Sequence, residues 1–153
     1  FDFTFKTVQA ILNIEKIKKI NVVVGGAYSH KQIYEIANKI KKIEVHKNLN
    51  EKTLNNLMHK SNISFVSAST ILYEVITVKM LTYTGFFVQN QIDFYNGIKT
   101  KEVFFGMEDL RNFNFDTLPN KIEALTKKEI GNQINNQKSI IDGEQKKRFL
   151  ALL

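Results

Sequence analysis

Residues 62–91 read NISFVSASTILYEVITVKMLTYTGFFVQNQ. A short apolar run, a small polar turn, a helical pattern and a second apolar run ending in Asn-Gln predict strand, tight turn, helix, strand. Ile63-Ser64-Phe65-Val66 is of strand length and gives way to Ser67, Ala68, Ser69 and Thr70. These small residues let a ligand approach the backbone, and Ser or Thr can cap the next helix. Glu74 follows Thr70 by four positions, so both side chains share one helix face, with the carboxylate about one turn in. Free N–H groups at a helix start attract an anion such as phosphate, and a carboxylate one turn further can accept hydrogen bonds from a diol. Phosphate plus diol describes a nucleotide. The same spacing also fits an ordinary Ser69 or Thr70 cap and a solvated acid at Glu74 favoured by the helix dipole.

Outward from this unit the pattern continues. Phe5, Val8, Ile11, Leu12 and Ile14 predict a first helix to about Lys18. Asn21-Val22-Val23-Val24 reads as a buried strand closed by Gly25-Gly26, and Ile33, Ile36, Ala37 and Ile40 as a second helix. Ile43 to His46 alternates as a strand, and Asn50 can cap a third helix bearing Leu54, Leu57 and Met58. After Asn90-Gln91 comes a short helix to Asn96 with Gly97 as its C-cap, then a strand at Val103-Phe104-Phe105. Beyond it, Glu108 to Phe113, a helix started by Pro119 and a tail ending in Phe149, Leu150, Leu152 and Leu153 read as helical, with Asn132 to Gln137 polar enough for a loop or helix break. Five strands alternating with helices predict an α/β fold: a Rossmann-like parallel sheet with helices on both faces and a helical C-terminal tail.

Composition bounds the function. The chain has 153 residues, 43% hydrophobic, enough for one domain spanning 1–153. It has no cysteine, which excludes disulfides, thiol catalysis and cysteine zinc sites. No apolar stretch approaches the roughly 20 residues that span a bilayer, so no transmembrane segment is expected and the cytoplasm is the default location. Phe1 stands where a methionine is usual and already lies in an apolar pattern, pointing to a fragment. The net charge of +7 invites a nucleic-acid partner. Yet the lysines cluster where helices should end, and Arg111 and Arg148 are the only arginines, so none is expected.

In an open parallel sheet ligands bind beyond the carboxyl ends of the strands. Those ends gather Gly25, Gly26, Tyr28 and His30; His46 and Asn48; Ser67 to Thr70 with Glu74; Gln89, Asn90 and Gln91; and Gly106. Such residues suit a phosphorylated ligand better than difficult chemistry. Gly25-Gly26 fits either a plain turn or a phosphate loop, since GGAYSHK matches neither GxGxxG nor GxxxxGKS. His30, His46 and His59 lack metal-ligand spacing, so neither metal nor cofactor is expected.

At Thr70, Glu74, Asn90 and Gln91 the chain resembles the C-terminal half of a GT-B-fold sugar-nucleotide enzyme, the UDP-sugar hydrolase of pseudaminic-acid biosynthesis and the related spore-coat polysaccharide biosynthesis proteins. That family places Ser/Thr-x-x-x-Glu on a helix after a strand ending in small residues, then a strand ending in Asn-Gln. Asp142-Gly143 followed by Arg148 is similar to its closing signature, and Asp2 with Thr4 to the end of a Gly-Gly-x-Asp turn. Ser67-Ala68-Ser69 replaces the family's glycine before the Ser/Thr, and Val78-Lys79-Met80-Leu81 replaces its Gly-x-Pro.

The resemblance implies a nucleotide-sugar-binding domain lacking an N-terminal partner domain. The loop after the third strand would take the diphosphate, Glu74 the ribose hydroxyls, backbone near Val45 and His46 the uracil, and Asn90 with Gln91 the sugar side. The family's catalytic histidine belongs to the other half, so this fragment would have no catalytic residue and no turnover of its own. The alternatives are the donor-binding half of a GT-B glycosyltransferase and a non-catalytic interaction domain of the same fold.

Overall fold

The computed structural model describes residues 1–152, leaving Leu153 of the expected apolar tail outside the described residues. In chain order the elements are α1 (Phe3–Ile11), β1 (Ile20–Val24), α2 (Gln32–Lys39), β2 (Ile43–Lys47), α3 (Glu51–His59), β3 (Ile63–Ser67), α4 (Thr70–Thr77), β4 (Leu81–Phe86), α5 (Gln89–Lys99) and β5 (Phe105–Asp109). A 3-10 turn at Phe115–Thr117 then leads to α6 (Leu118–Glu123), α7 (Lys127–Ile140) and α8 (Gln145–Leu150). This is a mixed α/β chain with parallel sheets flanked by helices and a helical tail, as in a Rossmann-like fold. The strands pair as β1-β2 and as β3-β4-β5. The chain divides into two compact units, one formed by Phe1–Leu57 with Arg111–Ala124, the other by Met58–Leu110 with the chain from Leu125 on.

In the first unit β1 and β2 run parallel, from Ile20 opposite Ile43 to Val24 opposite Lys47. Ile20, Val22 and Val24 are buried, but Val23 is 42% exposed. The strand expected to be buried is therefore two-sided, since alternate side chains point to opposite faces. Helix α1 also stops well before Lys18: Lys42 Nζ donates to Leu12 O at 2.7 Å and to Ile14 O at 2.9 Å, holding carbonyls that a longer helix would have used itself. Ile14 stays buried beyond the helix end. The Asn50 cap forms as expected, its Oδ1 accepting from Thr53 N at 2.9 Å.

The second unit is built on β3-β4-β5. Ile63 to Ser67 lie opposite Leu81 to Gly85, and Tyr83 opposite Phe105. Phe65, Tyr83 and Phe105 form an aromatic row across the three strands, with centroid spacings of 5.2 and 5.1 Å. Strand β5 begins later than the Val103-Phe104-Phe105 run suggests and reaches Asp109, so Glu108 is in a strand rather than a helix. Val103 and Phe104 are buried on the approach to it. Gly97 lies inside α5, which continues to Lys99, and does not terminate it.

Helix α4 ends in a Schellman motif, with Lys79 N donating to Ile76 O and Met80 N to Val75 O. Lys79 occupies the left-handed position at φ +62°, where glycine is usual. Its ammonium compensates by donating to Gln137 O at 3.4 Å and Ile141 O at 3.3 Å, at the C-terminus of α7. Burial, and then the neighbouring Lys138 charge, lower the Lys79 pKa.

The polar stretch Asn132–Gln137, expected to form a loop or break, is continuous helix within α7. Two of its glutamines are buried, Gln133 at 3% and Gln137 at 0% exposure. Gln133 Oε1 accepts from Thr82 N at 2.7 Å and its Nε2 donates to Thr82 O at 3.4 Å. Gln137 Nε2 donates to Met80 O and Val103 O, both at 2.9 Å. A Thr126–Glu129 capping box starts the same helix.

Replacing Gln137 by Leu leaves Val103 O without its donor and Met80 O with only the Thr82 hydroxyl, and is expected to destabilise by about 1–3 kcal/mol. Asn135→Ala on the exposed side should stay within about 0.5 kcal/mol. Urea denaturation of both variants measures the difference.

Candidate functional site

The proposed site residues of the first unit lie around the ends of β1 and β2. Gly25 and Gly26 are exposed, and Tyr28 N donates to Gly25 O at 3.2 Å, closing a turn. A side chain at Gly26 would meet Asn48 Oδ1 at 3.4 Å, and Asn48 itself has φ +54°. Val45 sits in register with Val22. His46 Nε2 lies 3.2 Å from Asn21 Oδ1 and 3.6 Å from Glu44, whose carboxylate is held below its usual pKa by the Lys19 ammonium. Asp2 caps α1 by accepting from Phe5 N at 3.0 Å and also accepts from the Tyr28 hydroxyl at 2.7 Å. Burial and then Asp2 push the Tyr28 pKa upward.

In the second unit the carboxyl ends of β3 and β4 are tied together. Ser67 lies opposite Gly85, and Ala68 N donates to Gly85 O at 2.8 Å. Ser69 N donates to Ser67 O at 2.8 Å, tightening the turn. Ala68 is buried. Ser69 occupies the N-cap of α4, yet its hydroxyl makes no cap bond. Thr70 and Glu74 are exposed within the helix. Asn90 and Gln91 are not at a strand end, because β4 stops at Phe86 and both lie in the first turn of α5. Gln91 Oε1 accepts from Phe87 N at 3.1 Å, so that side chain is committed to the turn, whereas Asn90 is exposed.

The two helix starts are built alike. Leu72 N donates to Ser69 O, and Gln91 N to Val88 O. This leaves the N–H groups of Thr70 and Ile71 on α4, and of Gln89 and Asn90 on α5, without partners among the described residues. Tyr73 of α4 meets Phe94 of α5 edge to face, with centroids 5.1 Å apart. Ser69 and Thr70 precede Tyr73 by four and three residues, as Asn90 and Gln91 precede Phe94. Helical periodicity therefore sets Thr70 on the α4 flank, and Asn90 with Gln91 on the α5 flank, that carry the aromatic pair, one turn nearer the strand ends. Glu74, four residues after Thr70, is exposed one turn into the same helix.

Gly85 and Glu108 complete this edge and were not expected from the sequence. A side chain at Gly85 would collide with Glu108 O and Leu110, so only glycine allows β4 and β5 to meet there. The register shifts between Thr84 and Gly85, and Glu108 adopts φ +55° at the irregularity. Its carboxylate accepts from the buried Tyr95 hydroxyl at 3.1 Å and from Lys99, locking the bulge to α5. Burial, followed by the Glu108 charge, raises the Tyr95 pKa. A glycine within the apolar run of β4 was the available signal for the close approach.

The closing Asp142–Arg148 pair is a local clamp. Arg148 donates from both terminal nitrogens to Asp142, at 2.9 and 3.0 Å, across Gly143 at φ +79°. That guanidinium holds the Asp142 carboxyl well below the usual carboxylate range. Among the described residues no group of three or more His, Asp or Glu side chains could hold a metal, and no helix is long and apolar enough to cross a membrane. No protein-family model matches the chain, and no curated protein matches it either.

Tyr83, within β4 and 3% exposed, supplies a pH readout of folding. Burial, and then the Glu129 charge, push its pKa up from 10.0 to about 12. The unfolded chain loses this proton first, so the stabilisation is fully present below pH 10 and fades as pH rises toward 12. Unfolding free energy should fall by roughly 2 kcal/mol more in the wild type than in Tyr83→Phe over that interval, measured by denaturation at a series of pH values.

Proposed function

We propose that this chain binds a UDP-linked sugar at the carboxyl edge of β3-β4-β5, as the nucleotide-sugar-binding half of a GT-B hydrolase of polysaccharide or nonulosonic-acid biosynthesis. The supporting observation is the pair of adjacent helix starts, α4 and α5, whose leading N–H groups have no side-chain cap and no other partner among the described residues. Four such amides over the ends of parallel strands favour a diphosphate, through both hydrogen bonding and the helix dipoles. Ala68 has already spent its N–H group on Gly85 of β4 and Ser69 its own within the turn, so the anion is taken by Thr70, Ile71, Gln89 and Asn90. The exposed Glu74 carboxylate, free of any ion pair among the described residues, accepts from the ribose hydroxyls. Asn90 faces the sugar, while Gln91 holds the loop. The proposal is confined to the second unit and assigns this chain binding without turnover, in the cytoplasm.

Calorimetric titration with UDP tests it. Binding in the millimolar range or tighter is expected, with Glu74→Gln weakening UDP about tenfold, roughly 1.4 kcal/mol, while leaving inorganic pyrophosphate unaffected. Folded protein that gives no heat with either UDP or pyrophosphate at millimolar concentration would refute the proposal.

A further inference from the structure

A groove of about 440 Å³ opens on the first unit between α1 and the 3-10 turn, lined by Lys6, Gln9, Phe113, Asn114, Phe115 and Asp116. Its size lies within the range of small-molecule sites. The Lys6 ammonium stands over two rings, 5.4 Å from the Phe1 centroid and 5.8 Å from that of Phe115, and forms no ion pair among the described residues. The rings fix the cation's position without using its hydrogen-bond donors. Asn114 Oδ1 accepts from Asp116 N at 3.1 Å, which sets the amide plane and leaves its NH2 group as a donor. Gln9 adds a second amide with no partner among the described residues. Phe113, edge-on to Phe115 at 5.2 Å and only partly buried, gives the groove an apolar wall.

Donors and a cation call for an anion, the apolar wall calls for a hydrocarbon body, and the Asp116 carboxylate in the same lining keeps the groove's net charge near zero, which a monoanion tolerates better than a dianion. From this arrangement we infer that the groove is a binding site for a small organic monocarboxylate. The acid group meets Lys6 and the Asn114 amide, and the apolar body lies against Phe113. The site is independent of the nucleotide-sugar reading.

The experiment is a titration of the ¹⁵N-labelled chain with phenylacetate, followed by amide shifts, with phenylethylammonium and inorganic phosphate as controls. Phenylacetate is expected to shift the amides of Lys6, Gln9, Asn114 and Asp116 with saturation in the millimolar range. Lys6→Gln should weaken it at least fivefold, and Asp116→Asn should let phosphate bind where the wild type rejects it. Both substitutions are at exposed positions, and the unperturbed remainder of each spectrum confirms the fold. The inference is overturned if these amides do not move, if phenylethylammonium or phosphate binds the wild type as tightly as phenylacetate, or if Lys6→Gln binds phenylacetate unchanged.

Discussion

On the β5 side of β4, the backbone between Met80 and Thr82 has no strand beside it, because the pairing of β4 with β5 starts only at Tyr83 and Phe105. A buried strand edge with unpaired amides is among the more costly arrangements a fold can contain. Gln133 supplies the missing neighbour by donating to and accepting from the same residue, Thr82, while Gln137 bridges Met80 O and Val103 O where β4 and β5 diverge. Two side-chain amides one helical turn apart thus extend the sheet by the length of a missing strand segment. The arrangement leaves Gln137 Oε1 buried without a partner, so the satisfaction of the carbonyls outweighs one orphaned acceptor.

Fixing the amino end of β4 has consequences at its other end. The hydroxyl ladder on one sheet face, Ser64 to Thr82 at 3.0 Å and Thr84 to Val66 O at 2.9 Å, holds β3 against β4 in register. A one-residue slip would reverse every side chain and separate the aromatic row on the opposite face. With that register held, Ser67 must end beside Gly85, and the helices that follow β3 and β4 must start side by side. The bulge at Gly106–Glu108 then absorbs the mismatch with β5, and Tyr95 and Lys99 hold it from α5.

The alternation of strands and helices was legible in the sequence because apolar periodicity is local: β2, α2, β3 and α4 fall close to where their residues predict them. What was not legible depended on distant partners. Helix α1 ends early because of Lys42, thirty positions from Leu12. Asn132–Gln137 looked like a loop because glutamine and asparagine carry no core signal, yet the positions of Gln133 and Gln137 four apart were visible and matched one helix face. Val103-Phe104-Phe105 looked like a strand because a buried apolar approach and a paired strand have the same composition. For the candidate site, the small turn and Glu74 were readable. The commitment of Gln91 to Phe87, and the pairing of Tyr73 with Phe94, required the two helices to be in place.

Absence of a cap does not by itself mark a ligand site, and the other helices show why. Helix α1 is capped by Asp2, α3 by Asn50 and α7 by Thr126, whereas α2 and the six-residue helices α6 and α8 have no side-chain cap either. What separates α4 and α5 is their adjacency. Each follows a strand of the same parallel set, each spends its third N–H on its own cap carbonyl, and Tyr73 with Phe94 fixes one flank against the other. A single open helix start offers an anion two amides and is readily satisfied by water. Two starts held side by side would offer four donors and two aligned dipoles to one ligand, with Tyr73 and Phe94 packed one turn away independently of any ligand. An anion bound there would therefore meet a preorganised edge, whose geometry ultimately rests on the register of β4.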